Sequence, residues 1–226
     1  MSCKTMSQHI ETVAFDLDGT LVNSLEDIRT ACNITLSELG YPEKTSEEVR
    51  SMIGHGVTHL LSIALESDDP ELIARAKLRF GPVYYEHAAD TTELYPGFED
   101  VLDRLHSMGY NLLIATNKPA RFTQKLVEAL SLSKWFSGIA SADEVPKRKP
   151  ADDVIRLACE RGRLDFKPKS LAYVGDMNVD LETAKNAGCF SVYAKWGFGP
   201  AQAALPCHEQ VSTPKELSSV FGGRKK

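Results

Sequence analysis

Two aspartates separated by one residue, in Asp16-Leu17-Asp18-Gly19-Thr20, are the residues of this chain best placed to do chemistry. They follow Val13-Ala14-Phe15, an apolar run with the length and composition of a buried strand. A strand ending in paired acids and a glycine turn delivers both carboxylates to the carboxyl edge of a sheet, where open α/β folds bind their ligands. There one acid can attack as a nucleophile while the other moves protons. An Asp-rich turn that only caps a helix or faces solvent has the same local pattern, so the weight falls on what the rest of the chain brings to strand ends.

Three further segments supply it. Leu112-Leu113-Ile114-Ala115-Thr116-Asn117 is an apolar run ending in a hydroxyl, and Lys118-Pro119 opens a helical stretch after it. A hydroxyl and free backbone N–H groups at a strand end suit a phosphoryl oxygen, although Thr116 as a simple cap of the next helix reads equally well. Pro146-Lys147-Arg148-Lys149-Pro150 is a cationic loop before the amphipathic run Val154-Ile155-Leu157-Ala158, either a site cation or a solvated face. Leu171-Ala172-Tyr173-Val174-Gly175-Asp176 is again a strand ending in an acid, and Asp180 stands four residues on, near one face of the helix's first turn. Acid, hydroxyl, cation and acid therefore arrive at successive strand ends.

In order and spacing, FDLDGTLVNS, ATNKP, Lys149-Pro150 and YVGDMNVDLETAKNAG resemble the four motifs of the haloacid dehalogenase-like hydrolase superfamily, over nearly the whole chain. TNKP is similar to the phosphoglycolate phosphatase group. Many relatives carry a second proline two residues after Lys149-Pro150, where this chain has Asp152, itself a good N-cap. The resemblance implies an α/β fold with a Rossmann-like parallel-sheet core and an inserted all-helical cap domain.

A phosphate monoester dianion will not approach Asp16, Asp18, Asp176 and Asp180 unless a cation offsets them, which calls for a hard divalent ion, Mg²⁺. As the resemblance implies, its ligands are Asp16, the backbone carbonyl of Asp18 and Asp176, with Asp180 orienting that shell. It further implies that Asp16 attacks phosphorus to form an aspartyl phosphate and Asp18 serves as general acid and then base, while Thr116, Asn117 and Lys149 hold the transferring oxygens. The second acid, Asp18, favours phosphotransfer over dehalogenation. Arg50 with Ile53-Gly54-His55-Gly56 resembles the cap specificity loop of phosphoglycolate phosphatases, so Arg50 and His55 are expected on the substrate, with Arg50 gripping the carboxylate of 2-phosphoglycolate unless it is a solvated helix charge. His55 and His59 stand four apart without a third ligand, and no metal role is expected for them. Trp196-Gly197-Phe198-Gly199 either borders the site or, as the pattern favours, is a packed aromatic turn. A sugar-phosphate mutase, a sugar-phosphate phosphatase and a catalytically silent regulatory protein are the alternatives.

The positioning elements are read from periodicity. Leu25, Ile28, Cys32, Leu36 and Leu39 recur at helical spacing up to Gly40; Thr45 to Glu48 has the form of a capping box; Gly54-His55-Gly56 breaks that helix; Val57 to Leu65 and Pro70 to Tyr85 are helical again. No strand signal occurs in this stretch. The expected division is a core of residues 1–24 and 94–226 and a helical cap of residues 25–93, with helix and strand alternating from Tyr95-Pro96-Gly97 onward in the manner of a parallel sheet.

A net charge of −5 over 226 residues argues against nucleic acid, and the basic end Arg224-Lys225-Lys226 is too short to change that. Cys3, Cys32, Cys159, Cys189 and Cys207 form no CxxC pair and read as reduced thiols. No apolar stretch approaches membrane-spanning length, and the polar start Ser2 to His9 lacks the apolar core of a secretion signal. The expectation is a cytoplasmic protein, a monomer or homodimer, acting on a small phosphorylated metabolite.

Overall fold

The computed structural model describes residues 9–222; Cys3, the start Ser2 to Gln8 and the basic end Arg224-Lys225-Lys226 lie outside the described residues. A six-stranded sheet, parallel throughout, runs in the order β5 (Phe136–Ser141), β4 (Asn111–Thr116), β1 (Thr12–Phe15), β6 (Leu171–Gly175), β7 (Phe190–Ala194), β8 (Glu209–Val211). Its three central strands alternate strictly between two apolar layers. Val13, Phe15, Leu112, Ile114, Ala172 and Val174 pack on one face beneath α5 (Phe98–Ser107), α6 (Ala120–Ala129) and α9 (Leu217–Phe221). Ala14, Leu113, Ala115, Leu171 and Tyr173 pack on the other beneath α7 (Asp153–Arg161) and α8 (Asn178–Ala187). Burial on both faces is why these strands read as continuous apolar runs.

Between β1 and α5 the chain forms α1 (Leu25–Glu38), α2 (Ser46–Met52), α3 (Val57–Ala64) and α4 (Pro70–His87). These helices build a second apolar cluster of their own, around Leu36, Val49, Leu61, Phe80 and Tyr84, which the core residues Phe122 and Phe198 join. The box at the start of α2 forms as expected: Thr45 accepts from the Glu48 N–H, and the Glu48 carboxylate accepts from the Thr45 N–H at 2.7 Å. Two short crossings tie this helical insert to the sheet. β2 (Val22–Asn23) pairs antiparallel with β3 (Glu93–Leu94), so Glu93 ends the insert inside a ribbon. The buried Asp27 accepts hydrogen bonds from the backbone N–H and hydroxyl groups of both Thr91 and Thr92.

Local expectations fail in two places. Asp152 occupies the N-cap position of α7, but its carboxylate makes no capping bond and is drawn to Arg156 one turn on, at 2.7 Å. The strand β8 has no sequence signal, because Glu209-Gln210-Val211 carries one apolar residue and exists by pairing with the edge of β7. Among the described residues the cysteines Cys32, Cys159, Cys189 and Cys207 are free, and no helix is long and apolar enough to cross a membrane.

Candidate active site

Parallel strands put their carboxyl ends at one edge, and β1, β4 and β6 are neighbours, so the residues directly after them converge. Phe15 lies level with both Ile114 and Val174, which sets Asp16 beside the ends of both flanking strands. Gly19 turns the chain back with φ 85°, a conformation that favours glycine, and a Cβ there would also strike the Asp176 carboxylate. A Cβ at Gly197 would strike the same Asp176 carboxylate as closely, and the Gly19 carbonyl too, so neither glycine position has room for a side chain.

Lys149 is the hub. Its ammonium, 3 % exposed as a residue, lies 2.8 Å from Asp16 Oδ1 and 2.7 Å from Asp180 Oδ1, and 3.1 Å from the hydroxyl of Tyr173. Burial alone would lower the lysine pKa; Asp16 and Asp180 outweigh it and hold Lys149 well above the ordinary lysine range, hence charged. The lysine's own backbone N–H donates to Asn117 Oδ1 at 3.0 Å, and Asn117 Nδ2 donates to the Gly54 carbonyl of the insert at 3.2 Å. The Asn117 side chain is thereby engaged in holding the Lys149 loop to β4 and to the insert.

Asp176 is fully buried. Thr20 donates to its Oδ1 at 2.7 Å, and the backbone N–H groups of Phe198 and Gly199 donate to its Oδ2 at 2.8 and 3.3 Å. Burial first, then the neighbouring acids Asp180 and Asp16, push its carboxyl up to about 8. Burial likewise raises Asp16 to about 6, against the pull of Lys149. Asp16, Asp176 and Asp180 each present one oxygen within 4.8 Å of the others, three acids against the single ammonium of Lys149.

A hard divalent ion fits this arrangement. It would offset the excess negative charge, and the donors are all oxygens. Asp16 Oδ1 is buried and has the Lys149 ammonium at 2.8 Å as its charged neighbour, so the three converging carboxylates outnumber the one cation that faces them.

Asp18 stands apart from this cluster. Ser24 donates to its Oδ1 at 2.6 Å, and Lys118 Nζ donates to both carboxylate oxygens at 2.9 Å. Lys118, legible from sequence only as the opening of a helix, also donates to the hydroxyl of Tyr84 on α4. Its signal was its place two residues after Thr116. Tyr84 had no local signal beyond a buried helical position. The Thr116 hydroxyl accepts from the Lys118 N–H at 3.3 Å and faces the cleft, so it both helps open the helix and lines the site.

The cleft, about 60 Å³, has Asp16, Asp18, Thr116, Asn117 and Lys118 on its core side and apolar side chains such as Ile53, Leu60 and Phe80 on the insert side. Three residues expected on the substrate, Lys149, Arg50 and His55, are not in its wall; Lys149 lies behind it, against Asp16. Arg50 donates from Nε to the Phe198 carbonyl at 3.1 Å and from Nη2 to the Gly197 carbonyl, which ties α2 to the loop after β7. The ring of the exposed His55 meets that of His59 edge to face at 4.9 Å. In Trp196-Gly197-Phe198-Gly199 the two alternatives divide between residues. Trp196 packs edge to face on Phe98 and bonds the Thr20 carbonyl, while the Phe198 backbone holds Asp176.

Residues 13–194 match the haloacid dehalogenase-like hydrolase family. The chain is 37 % identical over 220 residues to a phosphoglycolate phosphatase of Chromobacterium violaceum, covering 95 % of this chain and 97 % of that one. It is 34 % identical to a phosphoglycolate phosphatase of Aliivibrio fischeri, covering 85 % and 87 %. The crystal structure of a predicted phosphoglycolate phosphatase from Haemophilus somnus superposes with a TM-score of 0.84 at 27 % identity, covering 95 % of this chain and 99 % of that one.

Proposed function

The chain belongs to the haloacid dehalogenase-like hydrolases and is a phosphoric monoester hydrolase, and from that premise we propose that it hydrolyses a small phosphomonoester, 2-phosphoglycolate, through an aspartyl phosphate on Asp16. The observation that carries the mechanism is Asp16 at the end of the central strand, 2.8 Å from a buried ammonium and two residues before a separately held second acid. The substrate rests on the named activity of relatives that match nearly end to end.

The Asp16 carboxylate attacks phosphorus in line and the ester P–O bond breaks. Asp18 gives a proton to the departing alkoxide, then takes one from the water that attacks the aspartyl phosphate, releasing inorganic phosphate and restoring the Asp16 carboxylate. Lys149 and the Thr116 hydroxyl hold the transferring oxygens, and Lys149 supplies fixed positive charge as charge spreads over them. Asn117 keeps the Lys149 loop within reach through its side-chain amide. Asp16, Asp176 and the Asp18 backbone carbonyl would hold Mg²⁺, with Asp180 behind them; when bound, the ion neutralises the phosphoryl group and the acids that face it.

Residues 25–93 act as a cap on a core of residues 1–24 and 94–226, a reading supported by the separate apolar cluster and the paired crossings at Val22–Asn23 and Glu93–Leu94. Arg50 then serves as a latch between cap and core. The free cysteines agree with a cytoplasmic setting.

A panel of phosphomonoesters with Mg²⁺, including 2-phosphoglycolate, hexose phosphates and p-nitrophenyl phosphate, tests the reading. Highest kcat/KM on 2-phosphoglycolate is expected, with phosphate trapped on Asp16 in Asp18→Asn. A hexose phosphate ahead of it, or phosphate on another residue, would overturn substrate or nucleophile respectively.

A further inference from the structure

Lys118 is a buried cation that the proposed chemistry leaves without a task. Its side chain is 3 % exposed, and an ammonium taken out of water must be repaid by close partners. It has three. Two of its N–H groups reach the two oxygens of Asp18 at 2.9 Å, and the third reaches the Tyr84 hydroxyl, so the donors of an ammonium are fully used. The Tyr84 ring also lies 4.6 Å from the same nitrogen, stacked on Phe80 and edge-on to Phe122. Asp18 belongs to the core, and Tyr84 belongs to α4 of the helical insert.

Resting on the assignment of Asp18 as the proton-transfer group, we infer that Lys118 is a positioning residue: its ammonium aims the Asp18 carboxylate at the cleft, and the cap's Tyr84 holds the ammonium there. Ser24 alone fixes only Oδ1 of Asp18 and leaves rotation about that contact. The paired contact from Lys118 removes that rotation. A proton-transfer group contributes only when held within hydrogen-bond reach of the reacting oxygen. Lifting the cap withdraws the phenol, readmits water to the ammonium and frees both side chains. Proton transfer is therefore tied to a covered cleft, where water does not compete with the departing alkoxide.

The test uses the full chain with Mg²⁺ and two aryl esters of nearly the same shape. p-Nitrophenolate leaves phosphorus without a proton, and phenolate needs one. Lys118→Met keeps the length and apolar stem but not the charge. With p-nitrophenyl phosphate it should keep a rapid burst of about one equivalent of nitrophenolate, within roughly tenfold of the parental rate, followed by steady turnover slowed about 10²-fold or more as phosphate waits on Asp16. With phenyl phosphate the burst itself should vanish. On p-nitrophenyl phosphate KM should fall together with the steady rate, because both follow the slowed hydrolysis of the phospho-enzyme, while kcat/KM stays within roughly tenfold of the parent. Tyr84→Phe, which keeps the ring and its packing, should show the same split at about three- to tenfold.

Burst and steady rates falling together on both esters would show that Lys118 only supports the fold and would overturn the inference. Parental behaviour of Tyr84→Phe would overturn the part played by the cap. The underlying assignment fails on a different observation: Asp18→Asn treated with p-nitrophenyl phosphate and yielding no phosphate on Asp16, whatever the Lys118 variant does.

Discussion

Replacing Arg50 by alanine separates a substrate grip from a structural latch. The guanidinium donates to the carbonyls of Gly197 and Phe198, 147 and 148 residues away, and the N–H of Phe198 in turn donates to Asp176 at 2.8 Å. Hydrogen bonds to a charged group contribute about 1.5–3 kcal/mol each when shielded. Arg50 is exposed, so solvent screening reduces the pair to about the value of one such bond. If that energy favours the covered form, its loss lowers kcat/KM by at most about 10- to 150-fold, less if the covered form remains the majority without it. Because the latch touches no part of the substrate, 2-phosphoglycolate and p-nitrophenyl phosphate should lose equally, and Arg50→Lys, with a single donor head, should recover part of the loss. The assay is kcat/KM on both esters at saturating Mg²⁺. A loss confined to 2-phosphoglycolate would refute the latch and return Arg50 to the substrate carboxylate.

Asp16→Asn should abolish turnover while leaving the thermal unfolding transition in place, since an amide of the same size neither attacks phosphorus nor ligates a cation well; activity within tenfold of the parent would contradict the nucleophile assignment. Chelation with EDTA should remove activity, Mg²⁺ should restore it and Ca²⁺ should do so poorly, because a larger ion taking more ligands misplaces the attacking oxygen; full activity in chelator would exclude the metal-assisted scheme. In chelator, the carboxyls of Asp16 and Asp176, raised to about 6 and about 8, bind protons more tightly in the folded chain than in the unfolded one. Their contribution to stability is therefore complete at low pH and is lost as pH rises from about 4 towards 8, so Tm should fall across that window, more shallowly in Asp176→Asn and with excess Mg²⁺. An equal slope in Asp176→Asn and the parent would show that this acid does not carry the effect.

Features governed by near neighbours in the chain were legible from sequence alone. The apolar runs before Asp16, Thr116 and Asp176 are strands because their residues are buried on both faces of a parallel sheet. The Thr45 and Glu48 box is closed by groups three residues apart, and the break at Gly54-His55-Gly56 is likewise local. The convergence of the strand-end residues was legible for the same reason: in a parallel sheet, the residues directly after each strand must emerge at one edge.

Other features had no local signature. Glu209-Gln210-Val211 becomes a strand only because β7 offers it an open edge, and Asp152 leaves its capping role because Arg156 offers a charge. The partners of charged side chains were beyond reach as well. Lys118 and Asp27 read as ordinary polar residues, and Arg50 as a substrate grip or a solvated charge, until folding brings Tyr84, Thr92 and Phe198 beside them. A long flexible side chain takes whichever acceptor desolvation leaves it, and which acceptor that is depends on how the four helices of the insert settle on the strand ends. The residue types and spacing determined what chemistry the edge of the sheet can do; the docking of insert on core decided which cation serves Asp18 and which secures the loop that holds Asp176.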